Sequence, residues 1–100
     1  MDPDTPDIQI SDVVVSTTGR DRGEWFYVID VEAPFVLLAN GKNRPLEKPK
    51  RKKIKHIEKV LRSETRVAGK LVSGDKVLNG ELRRELVVFG QKFRSQNQGG

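Results

Sequence analysis

The sequence predicts a small, mainly-β domain in which short β-strands occupy the first 61 residues and two short helices follow. Three observations support this prediction. The segments Val13–Val15 and Glu24–Val31 are rich in β-branched and aromatic residues, which favour strands. The pair Asn40–Gly41 indicates a hairpin, because both residues accept the positive φ that a two-residue turn needs. Apolar residues between positions 64 and 89 then recur at helical spacing, so the chain changes from strands to helices after about residue 61.

The residue composition predicts three strands in the first 39 residues, separated by a turn and by a proline. Val13–Val15 is predicted as the first strand, and Gly19–Gly23 supplies a turn in which two glycines bracket three charged residues. The second strand spans Glu24–Val31 and carries large apolar side chains on both faces, so we expect it to be covered on both sides. One face is predicted to hold Trp25, Tyr27, Ile29 and Val31, and the other Phe26, Val28 and Asp30. Ala33–Pro34 breaks this strand, because proline lacks the ladder donor, and Phe35–Ala39 forms the third.

The hairpin at Asn40–Gly41 predicts a returning strand over residues 42–46, which Pro45 restricts to a short strand or an edge strand. Residues 47–53, with the sequence EKPKRKK, are expected to form an exposed loop. Residues 54–61 are expected to form the last strand. The apolar spacing of IKHIEKVL suits a helix equally well, so periodicity alone leaves this segment open.

Capping signals define two helices after the strands. The first is predicted over Glu64–Val72, with Ser63 as its N-cap and Gly74 as its stop signal. The second is predicted to begin at the N-cap Asn79 and to end at Gly90.

Both ends of the chain are expected to be disordered, since residues 1–10 are acidic and residues 91–100 finish in a polar, glycine-rich stretch. The acidic start lacks the apolar core of a secretory signal, and no apolar run approaches the roughly 20 residues of a membrane span. The chain has no cysteine, which excludes disulfides and thiolate metal sites. We therefore expect a cytoplasmic protein that does not engage a membrane.

Positive charge is concentrated in residues 42–59. This segment carries nine lysines and arginines against two glutamates, whereas the rest of the chain has more acidic than basic residues. A mildly acidic body with one strongly basic segment is the electrostatic pattern of a polyanion binder.

Four stretches together resemble the KOW-motif RNA-binding proteins: VVVST, GRDRGEWFYV, ANGK and RPLEKPKRKKIKH. They are most similar to small bacterial KOW proteins related to certain archaeal and eukaryotic large-subunit ribosomal proteins. The resemblance covers residues 11–60 and continues more loosely to about residue 90. It implies an SH3-like β-barrel over residues 11–61, whose motif loop and adjoining basic strands contact RNA, often ribosomal RNA. The hairpin often carries Asp-Gly-Lys in this family, and Asn40–Gly41–Lys42 makes the same turn.

The helical segment, residues 62–90, is then expected to pack on the barrel and to cap an open end of it. This expectation rests on the apolar side chains of the second helix, which need an apolar surface to bury against. The alternative is that Arg83 and Arg84 on this helix add contacts to RNA.

Clustered cations suffice for phosphate binding, which is long-range and independent of sequence. The predicted RNA contacts are Arg20, Arg22, Lys42, Arg44, Lys48, Lys50, Arg51, Lys52, Lys53, Lys55 and His56. Alternative explanations of the basic run are a solvated charged loop or a nuclear import address. The arginines of the Gly19–Gly23 turn could equally belong to an ordinary tight turn in which Asp21 pairs with an arginine. His56 could equally be a plain strand residue.

The aromatic residues Trp25, Phe26, Tyr27 and Phe35 could stack on bases, but a small domain with few apolar residues needs them in its core. His56 is the only histidine, and without cysteine a metal site is not expected. The sequence shows no recognisable catalytic spacing, so we expect neither an enzyme nor a cofactor. A protein-docking KOW module, linked to transcription or ribosome assembly, and a DNA binder remain as alternative functions.

Overall fold

A computed structural model describes residues 7–98, which form one antiparallel sheet followed by two α-helices. The strands are β1 (Asp12–Ser16), β2 (Trp25–Glu32), β3 (Phe35–Ala39), β4 (Lys50–Lys53) and β5 (Ile57–Arg62). One turn of 3₁₀-helix, Ile54–His56, connects β4 to β5, and the helices are α1 (Arg66–Ser73) and α2 (Asn79–Gln98). The strand order across the sheet is β4-β3-β2-β1-β5. No helix within residues 7–98 is long and apolar enough to cross a membrane.

The sheet curls like a barrel without closing, so that β4 and β5 are its two edges. The curl brings edge strand β4 to the end of β1, where the ammonium of Lys52 lies 2.5 Å from the hydroxyl of Ser16. The 3₁₀ turn also contacts this region, since the carbonyl of His56 accepts the N–H of Thr17 at 2.9 Å. The expected strand-rich domain with two C-terminal helices is confirmed. The two α-helices contain as many residues as the five strands, so the class is mixed α and β rather than mainly β.

Strand β2 is covered on both sides, as its sequence predicts. Phe26 and Val28 pack into an inner core inside the curl of the sheet. Tyr27 packs on the opposite face into an outer core that the helices cover. A bulge between Val28 and Asp30 reverses the alternation, so Val31 packs against the inner core and not on the face of Trp25. The predicted face assignment is therefore correct only up to this bulge.

The predicted returning strand over residues 42–46 is wrong. The side-chain carbonyl of Asn40 accepts the N–H groups of Lys42 and Arg44, at 2.9 and 3.0 Å, and this closes a local loop in place of a hairpin. Pro45 follows without a ladder donor. The strand that pairs with β3 is Lys50–Lys53, inside the segment predicted as an exposed loop. Of the two alternatives for residues 54–61, the strand is correct for β5, after one turn of 3₁₀-helix.

The helix boundaries differ from the predicted ones at two positions. Thr65, and not Ser63, is the N-cap of α1, and its side chain accepts the N–H of Ala68 at 3.2 Å. Gly74 ends α1 in the left-handed conformation, with φ of 80°, as predicted. Helix α2 continues through Gly90 to Gln98, so the predicted end at Gly90 is wrong.

Aromatic contacts explain why α2 continues past its glycine. Phe89 lies edge-to-face with Tyr27, their ring centroids 6.4 Å apart, and Phe93 lies edge-to-face with Trp25 at 5.4 Å. An aromatic pair of this kind contributes about 0.5–1.5 kcal/mol, which offsets the roughly 1 kcal/mol that a helical glycine costs.

Both predicted tails are ordered where the structure describes them. Ile8 is buried in the inner core, and the N–H of Gln9 donates to the buried carboxylate of Asp12 at 2.8 Å. Residues 91–98 are helical. The structure therefore has a buried side chain at residue 8 and helix over residues 91–98, where disorder was predicted, and residues 1–6 and 99–100 lie outside the described residues.

Leu82 should contribute strongly to stability, because α2 buries it completely in the outer core. We expect Leu82→Ala to lower the free energy of unfolding by about 3 kcal/mol, measured by urea denaturation. Leu78→Ala is the matched control, since the Leu78 side chain is 57% exposed, and it should cost about 0.5 kcal/mol or less. Equal losses in the two variants would show that the helices do not share a core with the sheet.

Candidate nucleic-acid interface

The register of β4 divides its four consecutive cations between the two faces of the sheet. Lys50 and Lys52 lie opposite Leu38 and Val36, whose side chains are buried in the inner core. Paired residues of an antiparallel sheet project to the same face, so both lysines lie on the concave side. Lys52 is correspondingly only 8% exposed.

The buried carboxylate of Asp21 holds both of these lysines. Its Oδ2 lies 2.5 Å from the ammonium of Lys50, and its Oδ1 lies 2.7 Å from the ammonium of Lys52. The hydroxyl of Ser16 donates to the same Oδ1 at 2.8 Å. Lys52 also donates to Ser16 and, at 2.7 Å, to the carbonyl of Thr18, so its three donors are all used within the protein. We call these residues, Asp21, Lys50, Lys52 and Ser16, the Asp21 cluster.

Two opposing effects act on the pKa of the Asp21 carboxyl. Burial raises it, but hydrogen bonds from Lys50, Lys52 and Ser16 outweigh burial and hold the pKa well below its usual range. The carboxylate is therefore charged throughout the neutral range and remains the counter-charge of the two lysines.

The other two cations of β4 lie on the convex face and are exposed. Arg51 lies opposite Leu37, and Lys53 lies opposite Phe35. The guanidinium of Arg51 lies over the ring of Phe35, 3.8 Å from its centroid, an arrangement typical of a cation–π contact. Charges on an edge strand also discourage pairing with another strand, which is an explanation of this face that requires no ligand.

Six of the nine cations of residues 42–59 are exposed and form no ion pair with a carboxylate within residues 7–98. These six are Lys42, Arg44, Lys48, Arg51, Lys53 and Lys55. The other three are the two lysines of the Asp21 cluster and Lys59, whose ammonium lies 3.2 Å from the carboxylate of Asp12. Within the basic segment, the structure thus separates cations used for folding from cations available to a ligand.

The Gly19–Gly23 turn lies beside β4. Arg20 and Arg22 are both exposed and flank Asp21, which the cluster attaches to Lys50 and Lys52. Asp21 therefore pairs with lysines of β4, and not with an arginine of its own turn. The two arginines therefore lie next to the basic edge strand.

The loop that contains Lys42 and Arg44 packs against the start of α2. Gly41 has a φ of 75°, and a Cβ built on it would lie 2.1 Å from the carbonyl oxygen of Asn79. The side-chain carbonyl of Asn79 accepts the N–H of Leu46 at 2.7 Å. Only glycine fits this close approach, which places Lys42 beside the second turn of α2.

Most of the aromatic residues belong to the core, as the sequence suggested. Phe26 and Tyr27 are fully buried and cannot stack on a base. Phe35 is covered by Arg51, and only Trp25, which is half-buried, remains partly accessible.

The hydroxyl of Tyr27 is the polar anchor of the outer core. It donates to the carboxylate of Glu85 and lies 2.9 Å from the hydroxyl of Ser63. Thr65, the N-cap of α1, donates to the same carboxylate at 2.8 Å. Burial raises the pKa of the Tyr27 hydroxyl well above its ordinary value, and the hydrogen bond to Glu85 raises it further. The group therefore stays protonated and links both helices to β2.

His56 is half-buried in the 3₁₀ turn between Lys55 and β5, so it is less accessible than the lysine beside it. Within the part of the chain that the structure describes, no three histidine, aspartate or glutamate residues converge to hold a metal ion.

Sequence reasoning missed a groove between α2 and the loop that contains Lys42 and Arg44, which we call the basic loop. Its walls are formed by Glu24, Trp25, Asn40, Lys42, Arg83, Leu86 and Val87. The sequence offered Arg83 as one possible contact, but the packing of α2 that places it beside Lys42 depends on the long-range contact at Gly41.

No protein-family model matches the chain, and comparison with curated proteins finds no relative.

Removing the Asp21 carboxylate tests the cluster. We expect Asp21→Asn to cost about 3 kcal/mol of unfolding free energy at neutral pH, because Lys52 is left buried without its counter-charge. The folded-state pKa of Asp21 is depressed, so this contribution is present above the ordinary carboxyl pKa of about 4 and is lost as the pH falls further. Urea denaturation at a series of pH values should show the two proteins converging below about pH 4.

Asp30→Asn provides the control for this series, since Asp30 is an exposed aspartate whose side chain accepts the N–H of Val31. It should leave both the stability and its acid dependence nearly unchanged. A constant difference between wild type and Asp21→Asn down to low pH would contradict the assigned pKa.

Proposed function

We propose that this protein is a non-catalytic RNA-binding module that contacts RNA phosphates through the exposed cations around edge strand β4. One observation supports this most strongly. Three cations of the basic segment are used in internal ion pairs, and the six that remain are all exposed and lie on connected segments of one domain. Charge left exposed at this density exceeds what the fold needs for its own ion pairs.

The proposed contact set leaves out the three cations of the basic segment that form internal ion pairs and includes two arginines of the Gly19–Gly23 turn. It comprises Arg20, Arg22, Lys42, Arg44, Lys48, Arg51, Lys53 and Lys55. Lys50 and Lys52 support the surface from beneath, because their ammonium groups are bound to Asp21. His56 is at the margin of the set, since it is half-buried.

The resemblance to KOW proteins supports structured RNA, such as ribosomal RNA, as the ligand and ribosome association in the cytoplasm as the setting. A five-stranded antiparallel sheet that curls over one core is compatible with an SH3-like barrel. The helices on its convex face are an addition that the resemblance covers only loosely.

A protein-docking module is the second candidate, and exposed apolar side chains favour it. Val72, Leu78 and Val87 are each more than half exposed on the helical layer, which consists of α1, α2 and the segment between them. Exposed apolar groups of this kind occur at protein interfaces. If this function dominates, a partner protein should bind equally well after nuclease treatment and at high salt.

Salt dependence tests the RNA-binding proposal. If six of the eight cations in the proposed contact set, Lys48, Arg51 and Lys53 among them, contact phosphates of a single-stranded RNA, the log–log slope of affinity against salt is about −4, measured by fluorescence anisotropy. The triple variant Lys48→Gln, Arg51→Gln, Lys53→Gln should reduce this slope to about −2, because three contacts are lost. Competition with DNA of equal length should show little preference if charge alone is recognised.

A matched triple variant controls for net charge. Lys76→Gln, Arg84→Gln, Lys92→Gln removes the same number of charges from exposed positions on the helical layer. It should retain a slope of about −4. A flat salt dependence, or equal slopes in the two triple variants, would contradict the proposal.

A further inference from the structure

The groove between the basic loop and α2 combines cationic and apolar side chains, although a site for phosphate alone needs only the cations. It has a volume of about 200 Å³ and lies between the first residues of β2, the loop after β3 and the second and third turns of α2. Pockets that enclose a whole small ligand are larger, about 300–1,000 Å³. The groove therefore has room for one ring of a larger ligand, most of which would lie outside it.

Two cations lie at this groove. Lys42 comes from the loop and Arg83 from α2, and the close contact between Gly41 and the backbone of α2 brings the backbones that carry them together. Neither forms an ion pair with a carboxylate among residues 7–98. Two cations that the backbone holds near each other suit a single phosphate, which accepts several hydrogen bonds at once.

The rest of the groove is apolar and partly exposed. Trp25 is half-buried, Leu86 forms the floor with only 9% exposure, and Val87 is 54% exposed. An exposed valine beside an indole does not contribute to phosphate binding. Such a surface suits the flat face of a nucleobase or the ring of a ribose, which stack against aromatic and apolar side chains in single-stranded RNA complexes.

Glu24 supplies a hydrogen-bond acceptor to the same groove, and its carboxylate lies 3.5 Å from the side-chain amide of Asn43. A carboxylate disfavours a plain polyanion but accepts a hydrogen bond from the amino group of a base. The groove thus offers separate groups to the phosphate, the ring and the edge of one nucleotide.

We propose that this groove binds one unpaired nucleotide of the RNA, with its phosphate at Lys42 and Arg83 and its base against Trp25 and Val87. The proposal rests on the RNA-binding function proposed above and adds α2 to the interface. It makes the protein a reader of single-stranded or looped RNA, in addition to the charge recognition that the edge strand provides.

Trp25 is the only tryptophan of the chain, so tryptophan emission reports on the one indole that lines this groove and also contacts Phe93. The experiment titrates the full chain with a short single-stranded RNA and with an abasic oligonucleotide of the same length. Anisotropy of a label on the oligonucleotide measures total binding, and tryptophan emission measures occupancy of the groove. We expect both oligonucleotides to bind, and only the one with bases to change the emission of Trp25.

Arg83→Gln and Arg84→Gln form a matched pair for the same titration. Both arginines are exposed on α2 and carry equal charge, but only Arg83 lines the groove. We expect Arg83→Gln to weaken binding of the single-stranded RNA about tenfold, the loss of one charge-assisted hydrogen bond, and to reduce the emission change. Arg84→Gln should leave both signals close to those of the wild type.

The outcomes separate the groove from the general function. If RNA binds while Trp25 emission is unchanged and the two arginine variants behave alike, the groove proposal is overturned and phosphate binding by the edge strand stands. If neither oligonucleotide binds, the RNA-binding function itself is overturned and the groove proposal falls with it.

Discussion

The carboxylate of Asp21 is buried between the turn after β1 and edge strand β4. The hydrogen bonds that it accepts there connect these two elements, and the arrangement of the basic strand depends on them. Hydrogen bonds from Ser16, Lys50 and Lys52 stabilise the charge that burial alone would disfavour. The same bonds attach the turn after β1 to β4, across the opening of an unclosed sheet. Because β4 is fixed in this register, Arg51 and Lys53 must project from the opposite face. The register of β4 and the carboxylate of Asp21 together explain which cations of this strand are paired and which are exposed.

The helical layer has a comparable role on the other side of the sheet. Its apolar side chains cover the convex face of β2, and the hydroxyl of Tyr27 links both helices through Glu85 and Thr65. The loop after β3 packs on α2 at Gly41, and the N–H of Leu46 donates to the side chain of Asn79, so this loop and the helix are in direct contact. The helices therefore do more than complete the core, because they also contact the loop that carries part of the exposed charge.

The sequence predicted those elements whose signals are local. Strand β3 has the predicted boundaries, and Gly74 ends α1 because its left-handed conformation is a property of that residue alone. The errors arise where distant contacts decide. Asn40–Gly41 has the composition of a hairpin turn, but in the structure it belongs to a loop that packs against α2. The glycine at position 90 does not end α2, since contacts with β2 hold the helix together. The basic segment was identified correctly as a unit, whereas the burial of Lys52 depends on a partner 31 residues away in the chain.

The central claim is that some cations of the basic segment stabilise the fold and others bind the ligand. Lys52 and Lys53 test it most directly, because the claim assigns these adjacent lysines opposite roles. Lys52→Gln should lower the unfolding free energy by about 3 kcal/mol and leave the salt dependence of the proposed RNA binding unchanged, at temperatures where the variant remains folded. Lys53→Gln should change stability by about 0.5 kcal/mol or less and reduce the magnitude of the log–log salt slope by about 0.7. The measurement is RNA affinity against salt, with urea denaturation of the same samples. Equal changes of the salt slope in the two variants, with similar stability, would contradict the division of the basic segment into a folded and a ligand-binding set.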